Sequence, residues 1–101
     1  MNLGQTIQVL RKKRGLKQGE LAEASGLAQS YLSLIEKNKK KPNLATIERI
    51  GKSLSLPTPI LFFLSLDEND IPTDKKDAYA LLASPLASLL EEFFFTTDQA
   101  E

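Results

Sequence analysis

Two runs of cations, Arg11-Lys12-Lys13-Arg14 and Lys39-Lys40-Lys41, bracket a stretch that carries amides and hydroxyls at Gln18, Gln29, Ser30, Tyr31 and Ser33. Ammonium and guanidinium groups attract anions, while a primary amide offers a donor and an acceptor side by side. That is the chemistry of recognition, not of bond making. The 101 residues include no cysteine and no histidine, which removes thiol nucleophiles, disulfides, the usual general base and the commonest metal ligand. There is also no phosphate-cradling glycine loop and no constellation of carboxylates. The sequence therefore predicts no enzyme, no metal site and no cofactor.

The formal net charge is zero, thirteen Lys/Arg against thirteen Asp/Glu, but the signs are segregated. Eleven basic and four acidic residues precede Pro57, whereas two basic and nine acidic residues follow it. Such asymmetry suggests one half that binds a polyanion and one that stays off it; chance segregation of surface charge is the plainer alternative. The composition, 42% apolar and 26% charged, is that of an ordinary globular chain. Apolar runs such as Ile60 to Leu64 fall well short of the about 20 residues that span a bilayer. Met1-Asn2-Leu3-Gly4 lacks the basic and apolar blocks of a signal peptide. A cytoplasmic protein with no membrane contact is expected.

The elements that must position these groups read as helices. Leu3, Ile7 and Leu10 recur at helical spacing, and Gly15 can end that helix in the left-handed conformation. A second helix is predicted from about Gln18 to Ser25, closed by Gly26, and a third over about 28–37, closed by Asn38. Pro42-Asn43 marks a turn, with Asn43 capping a fourth helix that carries Leu44, Ile47, Ile50 and Leu54. A fifth helix is predicted over Thr58 to Leu64. Nothing alternates with period two, so the fold class is all-α: a five-helix domain over 1–66 with a C-terminal helical extension. Residues 67–73 read as an acidic linker, 74–95 as the helical segment and 96–101 as a frayed tail. Within 74–95, Thr73 or Asp74 can cap a helix with Ala78, Tyr79 and Leu82. Ser84-Pro85 then resembles the start of another, giving a helical hairpin.

Residues 18–36, Q-G-E-L-A-E-A-S-G-L-A-Q-S-Y-L-S-L-I-E, form a pattern with mechanical logic. Ala22 is small enough for a close helix crossing, Gly26 makes the tight turn, and Leu27, Leu32 and Ile35 anchor the following helix. Gln29, Ser30, Ser33 and Leu34 are left on its outer face. This is a helix-turn-helix pattern, whose second helix enters the major groove of double-stranded DNA. Residues 7–56 resemble the Cro/CI-type (XRE) helix-turn-helix domain, which has the lambda-repressor-like fold. Leu10-Arg11, Gly15, Gln18, Leu21-Ala22, Gly26, Ser30 to Ser33, Ile35-Glu36 and Pro42 are all in register. The Ser-Tyr-Leu-Ser stretch is most similar to the biofilm and sporulation repressors of that family.

The resemblance implies a bacterial or phage-type, nucleoid-associated regulator of transcription, and by analogy with the family a repressor. It implies base-edge contacts from Gln29, Ser30 and Ser33, with Gln29 able to bond an adenine in bidentate fashion. Leu34, polar in most of the family, either touches a thymine methyl or is simply an exposed leucine. Phosphate contacts are implied for Gln18, Tyr31, Asn38, Lys39, Lys40 and Lys41, and a buried structural ion pair for Arg11 and Glu36. The family's usual Ser/Thr caps are replaced by Lys17 and Ala28, each loss costing about 1 kcal/mol.

One helix-turn-helix reads few base pairs, so a homodimer on a two-fold symmetric operator is expected. The candidate interfaces are Phe62-Phe63 and the stripe Leu86, Leu89, Leu90, Phe93 and Phe94, unless that stripe folds back on its own domain. The same surface can instead dock a protein antagonist or co-regulator. That alternative makes the chain an antitoxin-like or antagonist-controlled interaction module.

Overall fold

The computed structural model describes residues 1–95, and these are all-helical, as expected. The tail expected to fray, 96–101, lies outside the described residues. Helices α1 (Leu3–Lys13), α2 (Gln18–Ala24), α3 (Gln29–Glu36), α4 (Leu44–Ser53) and α5 (Thr58–Ser65) form the N-terminal bundle. Two short 3₁₀ turns, Glu68–Asp70 and Thr73–Lys75, lead into α6 (Lys76–Phe95).

Chain reversals fall where the backbone can turn left-handed. Gly15 (φ 73°) and Gly26 (φ 70°) end α1 and α2, and Asn38 (φ 60°) ends α3. Ser55 (φ 59°) does the same after α4, a position that carries no glycine or asparagine signal. Asn43 caps α4 by accepting from the Thr46 N–H at 2.8 Å. At α2 the missing hydroxyl cap is offset from the other side: the Lys17 N–H donates to Glu20 Oε1 at 2.7 Å. Ala28 at the start of α3 has no such compensation.

The core is one cluster to which every helix of the bundle contributes: Ile7 and Leu10, Leu21 and Ala22, Leu32 and Ile35, Ile47 and Ile50, then Leu54, Leu56 and Leu61. Leu44, expected on the apolar stripe of α4, is instead 57% exposed, while Thr46 and Ile47 of the same turn face the core. The α1–α3 crossing is close enough that only glycine fits at position 4. A Cβ on Gly4 would overlap the Ile35 carbonyl oxygen and lie 2.5 Å from Asn38 Oδ1.

The C-terminal segment corrects two expectations. It is a single 20-residue helix that runs through Pro85, not a hairpin broken at Ser84-Pro85. Pro85 removes one donor, the one for the Leu81 carbonyl, but strong helix formers on both sides carry the helix past it. Thr73–Phe95 is also long and apolar enough to cross a bilayer by length and composition, although no uninterrupted apolar run is. Ala and Ser between the leucines hid this from a count of consecutive residues. In the structure the C-terminal end of the helix touches the bundle, and its start is tied to the linker. Lys13 pairs with Glu91, Arg14 sits 3.9 Å from the centre of the Phe95 ring, and the Tyr79 hydroxyl donates to the Leu66 carbonyl at 3.0 Å. The Met1 ammonium holds the linker, 2.8 Å from Asp70 and 3.2 Å from Asp67, and draws the Asp70 carboxyl below its ordinary pKa.

Gly4→Ala should therefore lower stability by about 1–3 kcal/mol through overpacking, because a backbone carbonyl cannot move aside as a side chain can. Urea unfolding of the variant against the parent measures this.

Candidate nucleic-acid interface

Helix α3 is held by its inner face and left free on its outer one. Leu32 and Ile35 are buried, and the Leu27 N–H donates to the Ala22 carbonyl at 2.8 Å, fixing the turn from α2. Gln29 and Ser30 are exposed, while Tyr31, Ser33 and Leu34 are half-buried. Leu34 is thus not a freely exposed leucine. The Lys39 and Lys40 N–H groups both reach back to the Leu34 carbonyl, at 2.8 and 3.3 Å, so the lysine loop is tied to the end of α3. The side chains of Lys39, Lys40 and Lys41 stand in solvent.

A buried ion pair sets the angle of α3 against α1. Arg11 Nε donates to Glu36 Oε2 at 2.8 Å and Nη2 to Oε1 at 3.1 Å, while Nη1 donates to the Leu16 carbonyl at 2.9 Å. The two side chains are 8% and 2% exposed, so this is a bidentate pair largely removed from water. Among the described residues no buried side-chain polar atom lacks a partner.

Gln18 extends this network outward, a link the sequence did not reveal. Its Nε2 donates to Glu36 Oε1 at 3.1 Å, and its Oε1 accepts from Gln29 Nε2 at 3.5 Å. Gln18 and Gln29 are thus brought together, one anchored in the ion pair and the other at the exposed start of α3. Asn38 goes elsewhere. Its Oδ1 accepts from the Gly4 N–H at 3.0 Å and its Nδ2 donates to Asn2 at 2.8 Å. The exposed Asn38 side chain therefore also serves the start of α1; its left-handed backbone was legible, its side-chain partners were not.

The surfaces considered for pairing separate into two sets. Phe62 and Phe94 pack against the core and Phe63 and Leu90 are half-buried, whereas Leu86, Leu89 and Phe93 are 44%, 61% and 78% exposed. Leu82, at 55%, continues the outward face. The helix folds back on its domain by one side only.

Residues 7–61 match the family model described as Helix-turn-helix, HTH_3. The chain belongs to this helix-turn-helix family. It is 41% identical over 56 residues to the immunity repressor protein of Bacillus phage phi105, covering 55% of this chain and 39% of that protein. It is 40% identical over 55 residues to the HTH-type transcriptional regulator SinR of Bacillus subtilis, covering 54% of this chain and 50% of that one. The chain thus spans half or less of the length of these helix-turn-helix relatives. The fold is similar to that of the clp gene regulator ClgR from Corynebacterium glutamicum, with a TM-score of 0.62 at 23% identity over 89% of this chain and 87% of that one. It is also similar to a chain of the SinR protein/SinI protein complex, with a TM-score of 0.57 at 31% identity over 90% and 89%.

Removing one member of the buried pair strands the other charge. Glu36→Ala should cost about 3–5 kcal/mol in urea unfolding, and Arg11→Met combined with Glu36→Leu should recover much of that loss. If the single variant proves no less stable than the double, the pair is not acting as a desolvated unit.

Proposed function

We propose that the chain is a sequence-specific regulator of transcription that binds double-stranded DNA as a homodimer on a two-fold symmetric operator, acting as a repressor in the cytoplasm. The observation that carries this reading is the outward face of α3, with Gln29 and Ser30 exposed beside a lysine loop that is tied to the same helix. Gln29, Ser30 and Ser33 read base edges in the major groove, and Leu34 offers its exposed part to a thymine methyl. Lys39, Lys40, Lys41, Gln18 and Tyr31 contact phosphates, which fixes register and contributes affinity but no sequence information. The repressor sign is carried over from the phage immunity repressor, which the chain resembles.

Pairing of two chains is assigned to the outer face of α6, where Leu82, Leu86, Leu89 and Phe93 follow one another at intervals of four, three and four residues. That is the seam spacing by which two helices interlock. A second reading rests on the same face: it docks a different protein, as SinR is found together with SinI in the similar complex.

Enrichment of bound duplexes from a random pool at about 0.15 M salt, where non-specific phosphate binding is weakened, tests the proposal. The expected product is a two-fold symmetric site with half-sites about 34–36 Å apart or a multiple of that spacing. A chain truncated after Asp70 should become monomeric in sedimentation and lose preference for the paired over the single half-site. No enriched sequence from a folded sample contradicts DNA reading, and a truncated chain that remains dimeric contradicts the role given to α6.

A further inference from the structure

We infer that Gly19 is a positioning residue for base recognition: its missing side chain forms the slot in which the Gln29 amide lies against α2. The inference rests on Gln29 being a base reader and goes beyond it. Glycine weakens a helix, and α2 has only seven residues and no side-chain cap from Lys17. The backbone does not require glycine there, since Gly15 and Gly26 are the glycines with positive φ and Gly19 is not among them. What glycine supplies at position 19 is space. A Cβ built on it would lie 3.1 Å from Gln29 Oε1 and 3.6 Å from Gln29 Cδ, tighter than ordinary van der Waals contact at the oxygen.

The consequence falls on the orientation of one amide. Gln29 Nε2 donates one hydrogen to Gln18 Oε1, at 3.5 Å, and keeps a second for an acceptor outside the protein. Its Oε1, turned toward Gly19, keeps acceptor capacity. An adenine edge needs one donor and one acceptor in a fixed plane, so holding that plane before DNA arrives reduces the ordering cost of the bidentate contact. A methyl group at position 19 moves the amide out of the slot by a few tenths of an ångström and loosens its hold on Gln18. The flexible tip of Gln29 absorbs the displacement, so the fold is kept and the orientation is lost.

The test is a double-mutant cycle with the parent chain, Gly19→Ala, Gln29→Ala and the combined variant. Each is titrated by fluorescence anisotropy at fixed salt onto the duplex enriched from the random pool and onto that duplex with each base pair replaced in turn. Gln29→Ala should erase the preference at one base pair per half-site. Gly19→Ala should reduce the preference at that same pair by about 3- to 10-fold, a fraction of what a full bidentate contact provides. Its melting temperature should be equal to or above the parent's. In the Gln29→Ala background the Gly19 change should have no further effect. The inference is overturned if Gly19→Ala leaves that preference intact, or weakens all sequences equally in both backgrounds. If Gln29→Ala itself changes no preference, or no duplex is enriched, the reading beneath the inference fails and takes the inference with it.

Discussion

The guanidinium of Arg11 and the carboxylate of Glu36 meet in the interior of the bundle, and the aim of α3 depends on that contact. Apolar packing by Leu32 and Ile35 holds the helix to the core but is non-directional. A two-point contact between planar groups is directional. The desolvation cost of such a pair is large, so it persists only because its remaining hydrogen-bonding capacity is met: Arg11 by the Leu16 carbonyl, Glu36 by Gln18. Through Gln18 the same contact reaches Gln29, and one line of hydrogen bonds runs from the centre of the domain to its outer face.

Around that axis the rest of the bundle reads as support. Gly4 lets α1 approach α3, and Asn38 ties the end of α3 to the start of α1 through the Gly4 N–H and Asn2. The lysine loop follows from the same turn, since the Lys39 and Lys40 N–H groups both donate to the Leu34 carbonyl of α3. Charge segregation then has a structural meaning. Eleven of the thirteen cations lie on the helix-turn-helix bundle, while seven acidic residues lie between Asp67 and Glu92, where Asp67, Asp70 and Glu91 pair with Met1 and Lys13.

Much of this was legible because it is local. Gly15, Gly26 and Asn38 signal left-handed turns, Asn43 signals a cap, and the leucine and isoleucine spacing marks the inner faces. The pairing of Arg11 with Glu36, 25 residues apart, was legible only through the register of a family pattern. Side-chain bonds between elements were not legible. Nothing in Q-G-E-L-A shows that Gln18 turns inward to Glu36, or that Glu20 replaces the absent hydroxyl cap. The reading of 74–95 as a hairpin failed because Ser84-Pro85 satisfies the local rule for a helix start, while the decision between a start and an interior proline lies in the residues on both sides. Gly19 carried a signal that went unread: a glycine in a short helix, at a position whose backbone does not need one.

The central claim is that α3 reads base edges in the major groove, with Gln29 on an adenine. Replacing each adenine of the selected site in turn by 7-deaza-adenine removes the N7 acceptor while leaving the base pair and the phosphates intact. The account predicts one adenine per half-site at which affinity falls by about tenfold, the scale of a lost base-edge hydrogen bond, with that loss absent in Gln29→Ala. Uniform affinity across all deaza-substituted duplexes, or an identical loss in Gln29→Ala, would contradict it.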